Sequence, residues 1–140
     1  MIEVIQVSFG SAQFESCQTI RIEVFVEEQG VSIEEELDVL DSSALHVLAL
    51  IDGKPVGTAR AVEKQPGLWK IGRVAVCASY RQQGVGVTLM RGIESTCPTS
   101  HFTLSAQTHA LKFYEKLGYV AKGAEFMEAG IPHFHMFKGV

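Results

Sequence analysis

The chain has 140 residues, a formal net charge of −4 at pH 7, 46% hydrophobic and 20% charged residues, enough for one hydrophobic core and a single domain over 1–140 but not for two. The acidic balance disfavours a general nucleic-acid binder, which needs a basic face to displace counterions from phosphate. No stretch approaches the roughly 20 apolar residues of a membrane span, and the first residues lack the basic, apolar and small-residue order of a secretory leader, so the cytoplasm is the expected compartment. Cys17, Cys77 and Cys97 include no Cys-x-x-Cys pair, which points to neither a disulfide framework nor a metal site.

Taken in chain order, Ile2 to Ser8 reads as a strand. Ser11 is a fitting N-cap for a helix running to about Glu27, with Phe14, Cys17, Ile20 and Val24 on its inner stripe. Gly30 breaks that helix, and Val31 to Ser43 is acidic and irregular, with room for one short helical turn. Its Glu34-Glu35-Glu36 run with Asp38 and Asp41 reads either as a solvated segment or as an acidic rim that draws in a cationic ligand. Ala44 to Ile51 and Lys54 to Val62 form an antiparallel pair around the Asp52-Gly53 turn, and Pro66-Gly67 marks the next turn. Leu68 to Val76 is a fourth strand, Gly84 to about Thr96 a helix ended by Pro98, and His101 to Ala106 a fifth strand. Thr108 to Leu117 is then helical, with Gly118 as a left-handed cap, and Tyr119 to Phe126 with Ile131 to Lys138 closes the chain as a hairpin turning at Gly130. This order predicts an α/β (α+β) fold with a mixed, mostly antiparallel sheet of about six to seven strands flanked by about four helices.

The most informative stretch is Val74 to Leu89, Val-Ala-Val-Cys-Ala-Ser-Tyr-Arg-Gln-Gln-Gly-Val-Gly-Val-Thr-Leu. A buried strand leads through a short loop into a helix opened by Gly84 and Gly86. Glycines let backbone amides close on a ligand, and a helix N-terminus offers unpaired N–H groups and a favourable dipole to an anion, so the amides of Gln83 to Thr88 form a pyrophosphate cradle. A dinucleotide fingerprint would need a small residue where Leu89 stands, and a P-loop would need a Gly-Lys-Ser/Thr ending.

The spacing Arg81-x-x-Gly84-x-Gly86 resembles the acetyl-CoA signature of the GNAT superfamily of N-acetyltransferases, and His109-Ala110-Leu111-Lys112-Phe113-Tyr114-Glu115-Lys116-Leu117-Gly118-Tyr119 resembles its second signature. Arg21 to Gln29, Asp38, Asp41 and Glu128 to His133 look most like the ElaA-like and YjcF-like members, so the resemblance covers nearly the whole chain. It implies a GNAT fold and transfer of an acetyl group from acetyl-CoA to a primary amine by direct attack in a ternary complex. The cofactor would touch Ala75, Val76, Arg81, Gln82, Gln83, Gly84, Val85, Gly86, Val87, Thr88, Gln107, Ala110, Phe113 and Tyr114. Arg81 would add charge or brace the loop, and Gln107 stands where many relatives carry asparagine.

The resemblance also places the Val76 N–H near the thioester carbonyl, as an oxyanion donor, and Tyr114 as general acid toward the departing thiolate. Glu27, Glu28, His46, His133 and His135 are candidates for the base that takes the amine proton, Glu28 and His133 foremost, and a water chain is an equal alternative. Phe25, Glu27, Glu28, Arg73 and His133 are the expected acceptor-side residues, Arg73 alternatively serving as a salt bridge to the acidic segment. Cys77 has no activating partner in sequence, which excludes it as a nucleophile. Amino sugars such as glucosamine-6-phosphate, polyamines, aminoglycosides and peptide amines all suit the motifs as acceptors. A non-catalytic acyl-CoA sensor is the alternative reading, and the C-terminal hairpin suits a homodimer.

Overall fold

In the computed structural model, which describes residues 1–139, a seven-stranded sheet runs in the order β1-β2-β3-β4-β5-β7-β6. Its strands are β1 (Ile2–Val7), β2 (Leu45–Ile51), β3 (Lys54–Gln65), β4 (Leu68–Val76), β5 (Phe102–Gln107), β6 (Val120–Glu128) and β7 (Ile131–Lys138). Every neighbouring pair is antiparallel except β4 with β5. Helix α1 (Ala12–Arg21) is capped by Ser11, whose side chain accepts from the Phe14 N–H at 3.1 Å. The other helices are α2 (Ile33–Glu36), α3 (Val85–Thr96) and α4 (Leu111–Glu115).

Both faces of the sheet bury apolar side chains, as the alternation along β2 and β3 requires. On one face Val85, Leu89, Met90 and Ile93 of α3 pack on Val47, Ala59, Ile71 and Leu104. On the other, Phe14, Cys17, Ile20 and Val24 pack on Val7, Leu48 and Ala75. Cys17 and Cys97 are buried, as expected of small core residues, while Cys77 is half-buried.

The first helix departs from the expected single helix ending near Glu27. It is α-helical only to Arg21 and continues as a π-helix over Ile22–Glu28, where the Gln29 N–H bonds the Val24 carbonyl at 3.1 Å, five residues back. The β-branched Ile22, Val24 and Val26 are poor α-formers, and the widened turn delivers Phe25 and Gln29 to the open edge of the sheet. The acidic segment holds two short turns rather than one, α2 and a 3₁₀ turn at Val39–Ser42, capped by Ser32 and Asp38. Helix α4 is likewise shorter than expected, being preceded by a 3₁₀ turn at Thr108–Ala110 and ended before Gly118, which takes the left-handed conformation at φ +97°.

Candidate active site

A bulge in β4 opens the site. Thr58 of β3 pairs with Ala75 and Arg60 with Gly72, so Arg73 and Val74 together face Ala59 alone. Arg73 takes the left-handed conformation at φ +52°, a position that costs a non-glycine residue energy and bends the strand. Beyond the bulge the two parallel strands part. Their ladder consists of Trp69 with Phe102, Lys70 with Thr103 and Ile71 with Leu104, although β4 runs on to Val76 and β5 to Gln107. The gap between them is the root of a cleft of ≈ 1190 Å³.

Strand geometry settles where the Val76 N–H points. The Cys77 N–H bonds the Val56 carbonyl at 2.9 Å, so alternation along an antiparallel pair turns the Val76 N–H away from β3 and into the gap. Ala75, Val76 and also Val74, which sequence reasoning passed over, line the cleft there. The Val76 carbonyl accepts from Arg81 Nε at 2.9 Å, and the other two guanidinium nitrogens grip Glu28 at 2.6 and 2.7 Å. Arg81 is therefore a brace between the end of β4 and the first helix. Its charge lowers the Glu28 pKa, which leaves Glu28 a poor base, and neither Glu28 nor the exposed Glu27 lines the cleft.

After a 3₁₀ turn at Ala78–Tyr80, Gln82 and Gly84 both take positive φ, +63° and +85°. The first intrahelical bond of α3 runs from the Thr88 N–H to the Gly84 carbonyl, so the N–H groups of Val85, Gly86 and Val87 have no helical acceptor. No side chain caps them. Gln82, Gly84, Val85, Gly86 and Val87 all line the cleft, whereas Gln83 turns back to the Ser79 carbonyl and the Thr88 hydroxyl bonds the Gly84 carbonyl.

The second motif touches the first. A Cβ built on Gly86 would lie 3.0 Å from Phe113 Cζ, so the ring seats so closely against the helix that even a methyl group at position 86 would push it back by a few tenths of an ångström. Phe113 meets Tyr114 edge to face at 5.0 Å, and Tyr114 meets the buried Tyr119 at 6.1 Å. Tyr119 is anchored in turn, donating to Glu94 at 2.7 Å. Tyr114 lines the cleft with Ala110 and Phe113, and burial pushes its phenol up to about 12, so it stays protonated at any working pH. Gln107 spans the cleft, its amide donating to Gln29 at 2.9 Å while its oxygen meets His109 Nε2 at 2.7 Å.

At the other end of the cleft the acidic segment is not a free rim. Arg21, 1% exposed, bonds Glu36 at 2.6 Å and Asp41 at 2.9 Å. Arg60 bonds Asp38 at 2.7 Å and Asp41 at 2.8 Å, and Arg73 lies 2.9 Å from Glu36 and 3.1 Å from Asp38. Three guanidinium groups thus pair with Glu36, Asp38 and Asp41, which withdraws these carboxylates from the expected acidic rim, Glu36 and Asp41 being buried in their pairs, whereas Glu34 and Glu35 stay exposed without an arginine partner and Glu35 lines the cleft. Arg73 is the salt bridge that was its alternative role. His46 belongs to the same buried network, its Nε2 2.9 Å from the Asp41 carbonyl, with burial lowering its pKa, and it does not line the cleft.

His133 does line it, together with Phe25 and Arg73. An Nδ1 proton donated to the Ile131 carbonyl at 2.6 Å leaves Nε2 as the basic nitrogen, 3.8 Å from Glu128. Phe126 stacks on His133 and on His135, which stays exposed. Burial and the nearby Glu23 push the Cys77 thiol up to about 11, so it is protonated and no nucleophile at neutral pH. Among the described residues no group of three or more His, Cys, Asp or Glu stands together as metal ligands.

Comparisons with known proteins point to one family. Residues 12–140 match the family model described as an acetyltransferase (GNAT) domain. The uncharacterized N-acetyltransferase YjcF of Bacillus subtilis is 43% identical over 123 residues, covering 85% of this chain and 87% of its own. The crystal structure of Escherichia coli ElaA superposes with a TM-score of 0.85 at 28% identity over 99% of both chains. An acyl-CoA N-acyltransferase from Pseudomonas aeruginosa gives 0.85 at 28% identity over 99% of this chain and 100% of its own.

Proposed function

The chain belongs to the GNAT acetyltransferase family, and on that premise we propose that it transfers an acetyl group from acetyl-CoA to the primary amine of a small molecule by direct attack in a ternary complex. The observation that carries the reading is the conjunction, in one cleft, of three unpaired amides at the start of α3, a free Val76 N–H in the parted strands and the protonated Tyr114. The residues fit the co-substrate: the amides of Val85, Gly86 and Val87 suit its pyrophosphate, and the gap between β4 and β5 suits its pantetheine arm. Bound acetyl-CoA supplies the thioester carbon that the amine attacks.

The chain's own groups then have distinct tasks. The Val76 N–H donates toward the acyl oxygen as negative charge develops there, a contribution of about 2.7–4 kcal/mol for a preorganised donor. Tyr114 donates its phenolic hydrogen toward the thiolate. With its pKa at about 12 full proton transfer is more uphill than for a free phenol, and hydrogen-bond donation is the larger part of its role. His133 Nε2 takes a proton from the acceptor's ammonium, directly or through water, and so frees the amine lone pair for attack. The protein would act in the cytoplasm; among the described residues no helix is long and apolar enough to cross a membrane. The exposed Val120 and Met127 on β6 support a homodimer through that edge.

A thiol-release screen with acetyl-CoA and a panel of amines tests the proposal. Amine-dependent release establishes the transferase; tight binding of acetyl-CoA with no release on any amine would instead favour a sensor.

A further inference from the structure

The acceptor end of the cleft contains a cation that the fold leaves unused. Lys70 lies on β4, three residues before the bulge begins at Arg73, opposite Val62 of β3 and Thr103 of β5. It is half-buried and lines the cleft, and it makes no ion pair or hydrogen bond with any described residue. Its setting differs from that of Arg60 and Arg73 beside it, whose charges are consumed by Asp38, Asp41 and Glu36. Burial lowers its pKa; the half-exposed Glu128, which also lines the cleft but makes no ion pair with Lys70, opposes that shift, and the like charges of Lys64, Arg73 and Arg60 add to it. A partly desolvated ammonium among cations, facing a cavity, is a group that gains from a bound anion.

The floor of the cleft leads to it. Gly72 lies between Lys70 and the bulge, and a Cβ built there would meet nothing within 4 Å, so the path from the reacting end to Lys70 is open. Lys70 and Val74 at that end are four positions apart, at most about 13 Å along the strand and less across the bulge at Arg73, before the reach of the lysine side chain is allowed for.

Resting on the transferase reading above, we propose that the acceptor is an amine that also carries an anionic group, a phosphate or a carboxylate on the order of 10 Å from the amine, and that Lys70 binds that group. Lys70 is a specificity residue for the acceptor and takes no part in the acetyl transfer. The pairing of Glu36, Asp38 and Asp41 with arginines weakens the argument for a polyamine, which is left with Glu35, Glu63 and Glu128 among the cleft's carboxylates, and the free cation supplies an argument for its opposite.

The test compares matched acceptors, glucosamine 6-phosphate with glucosamine and γ-aminobutyrate with putrescine, in the wild type, Lys70→Met and Lys70→Arg. The wild type should favour one of the anionic members about ten- to hundredfold in kcat/KM, the range of one charge-assisted hydrogen bond. Lys70→Met should remove the preference while leaving the neutral acceptor and the affinity for desulfo-CoA unchanged, and Lys70→Arg should restore most of it. A preference for the neutral or dicationic member, or one that survives Lys70→Met, overturns the proposal. Calorimetry with inorganic phosphate on the desulfo-CoA-saturated protein separates the two levels. If no amine is acetylated, the transferase reading fails; phosphate binding that weakens in Lys70→Met then upholds the anion site, and binding that is absent or unaffected removes it as well.

Discussion

The end of the cleft proposed for the cofactor is made mainly of backbone, while the end proposed for the acceptor is made of charged side chains drawn from four distant parts of the chain. Three amides of α3, the parted edge of β4 and a glycine against an aromatic ring form the first. Arg60 and Arg73 with Glu36 and Asp38 form the wall of the second, and the buried Arg21 and Asp41 back it. Backbone donors are insensitive to most substitutions, so that end is suited to a constant co-substrate. Side-chain charges can be exchanged one at a time, which suits the end that must recognise a particular acceptor.

If the two ends are energetically separate, Arg21→Met should strike only one of them. It strips Glu36 and Asp41 of a buried partner and should cost about 3–5 kcal/mol of stability, lowering the thermal midpoint by roughly 10 °C. Below that midpoint the acceptor KM should rise while desulfo-CoA affinity holds; equal loss of both would break the comparison.

Tyr114→Phe should act at the other end, lowering kcat by about 10²-fold or more with desulfo-CoA affinity unchanged. Because burial holds this phenol at about 12, the wild-type pH–rate profile should show no alkaline fall attributable to it below roughly pH 10. A fall near pH 9 that disappears in Tyr114→Phe would contradict the assignment.

Acid should weaken the acceptor wall. Arg60 above all holds the Asp38 carboxyl below the usual carboxylate range, and for Asp41 the hydrogen bonds from Arg21 and Arg60 outweigh burial, with the same result. The unfolded chain therefore binds protons first, so this stabilisation is complete above the unfolded value, about 3.9, and is lost as pH falls through the lower folded values. Urea midpoints should fall modestly from pH 7 to roughly 5, because the unfolded His46 takes up its proton before the buried one does, and drop further below roughly 4, the acid drop being smaller in Arg21→Met. The smallest effect belongs to Glu28→Gln: its pair with Arg81 is exposed, and its loss should change stability by less than about 1 kcal/mol in urea titrations.

The same contrast explains what could be read from the sequence. The end proposed for the cofactor lies within Val74–Tyr119 and depends on local devices, a strand, two glycines and a helix start, so spacing marked Gly84 and Gly86, while the resemblance to a family signature marked Phe113 and Tyr114. The acceptor end depends on pairs separated by 15 to 37 positions, such as Arg21 with Glu36 and Arg73 with Glu36, and no local pattern distinguishes a carboxylate that will be buried by an arginine from one that will face water. Hence Glu34 to Asp41 resembled a rim. Lys70 was missed because a lysine in a strand carries no signal until its neighbours are known. The π-helical stretch was also hidden: a shift from i+4 to i+5 bonding leaves the inner stripe of Phe14, Cys17, Ile20 and Val24 intact.

The account rests first on the backbone cradle, and calorimetric titration of desulfo-CoA into the wild type and Gly86→Leu tests it most directly. The wild type should bind one equivalent per chain, and the variant, confirmed as folded by circular dichroism, should lose at least about tenfold in affinity as its side chain displaces Phe113 and covers the amides. No binding by the wild type, or equal binding by the two, would contradict it.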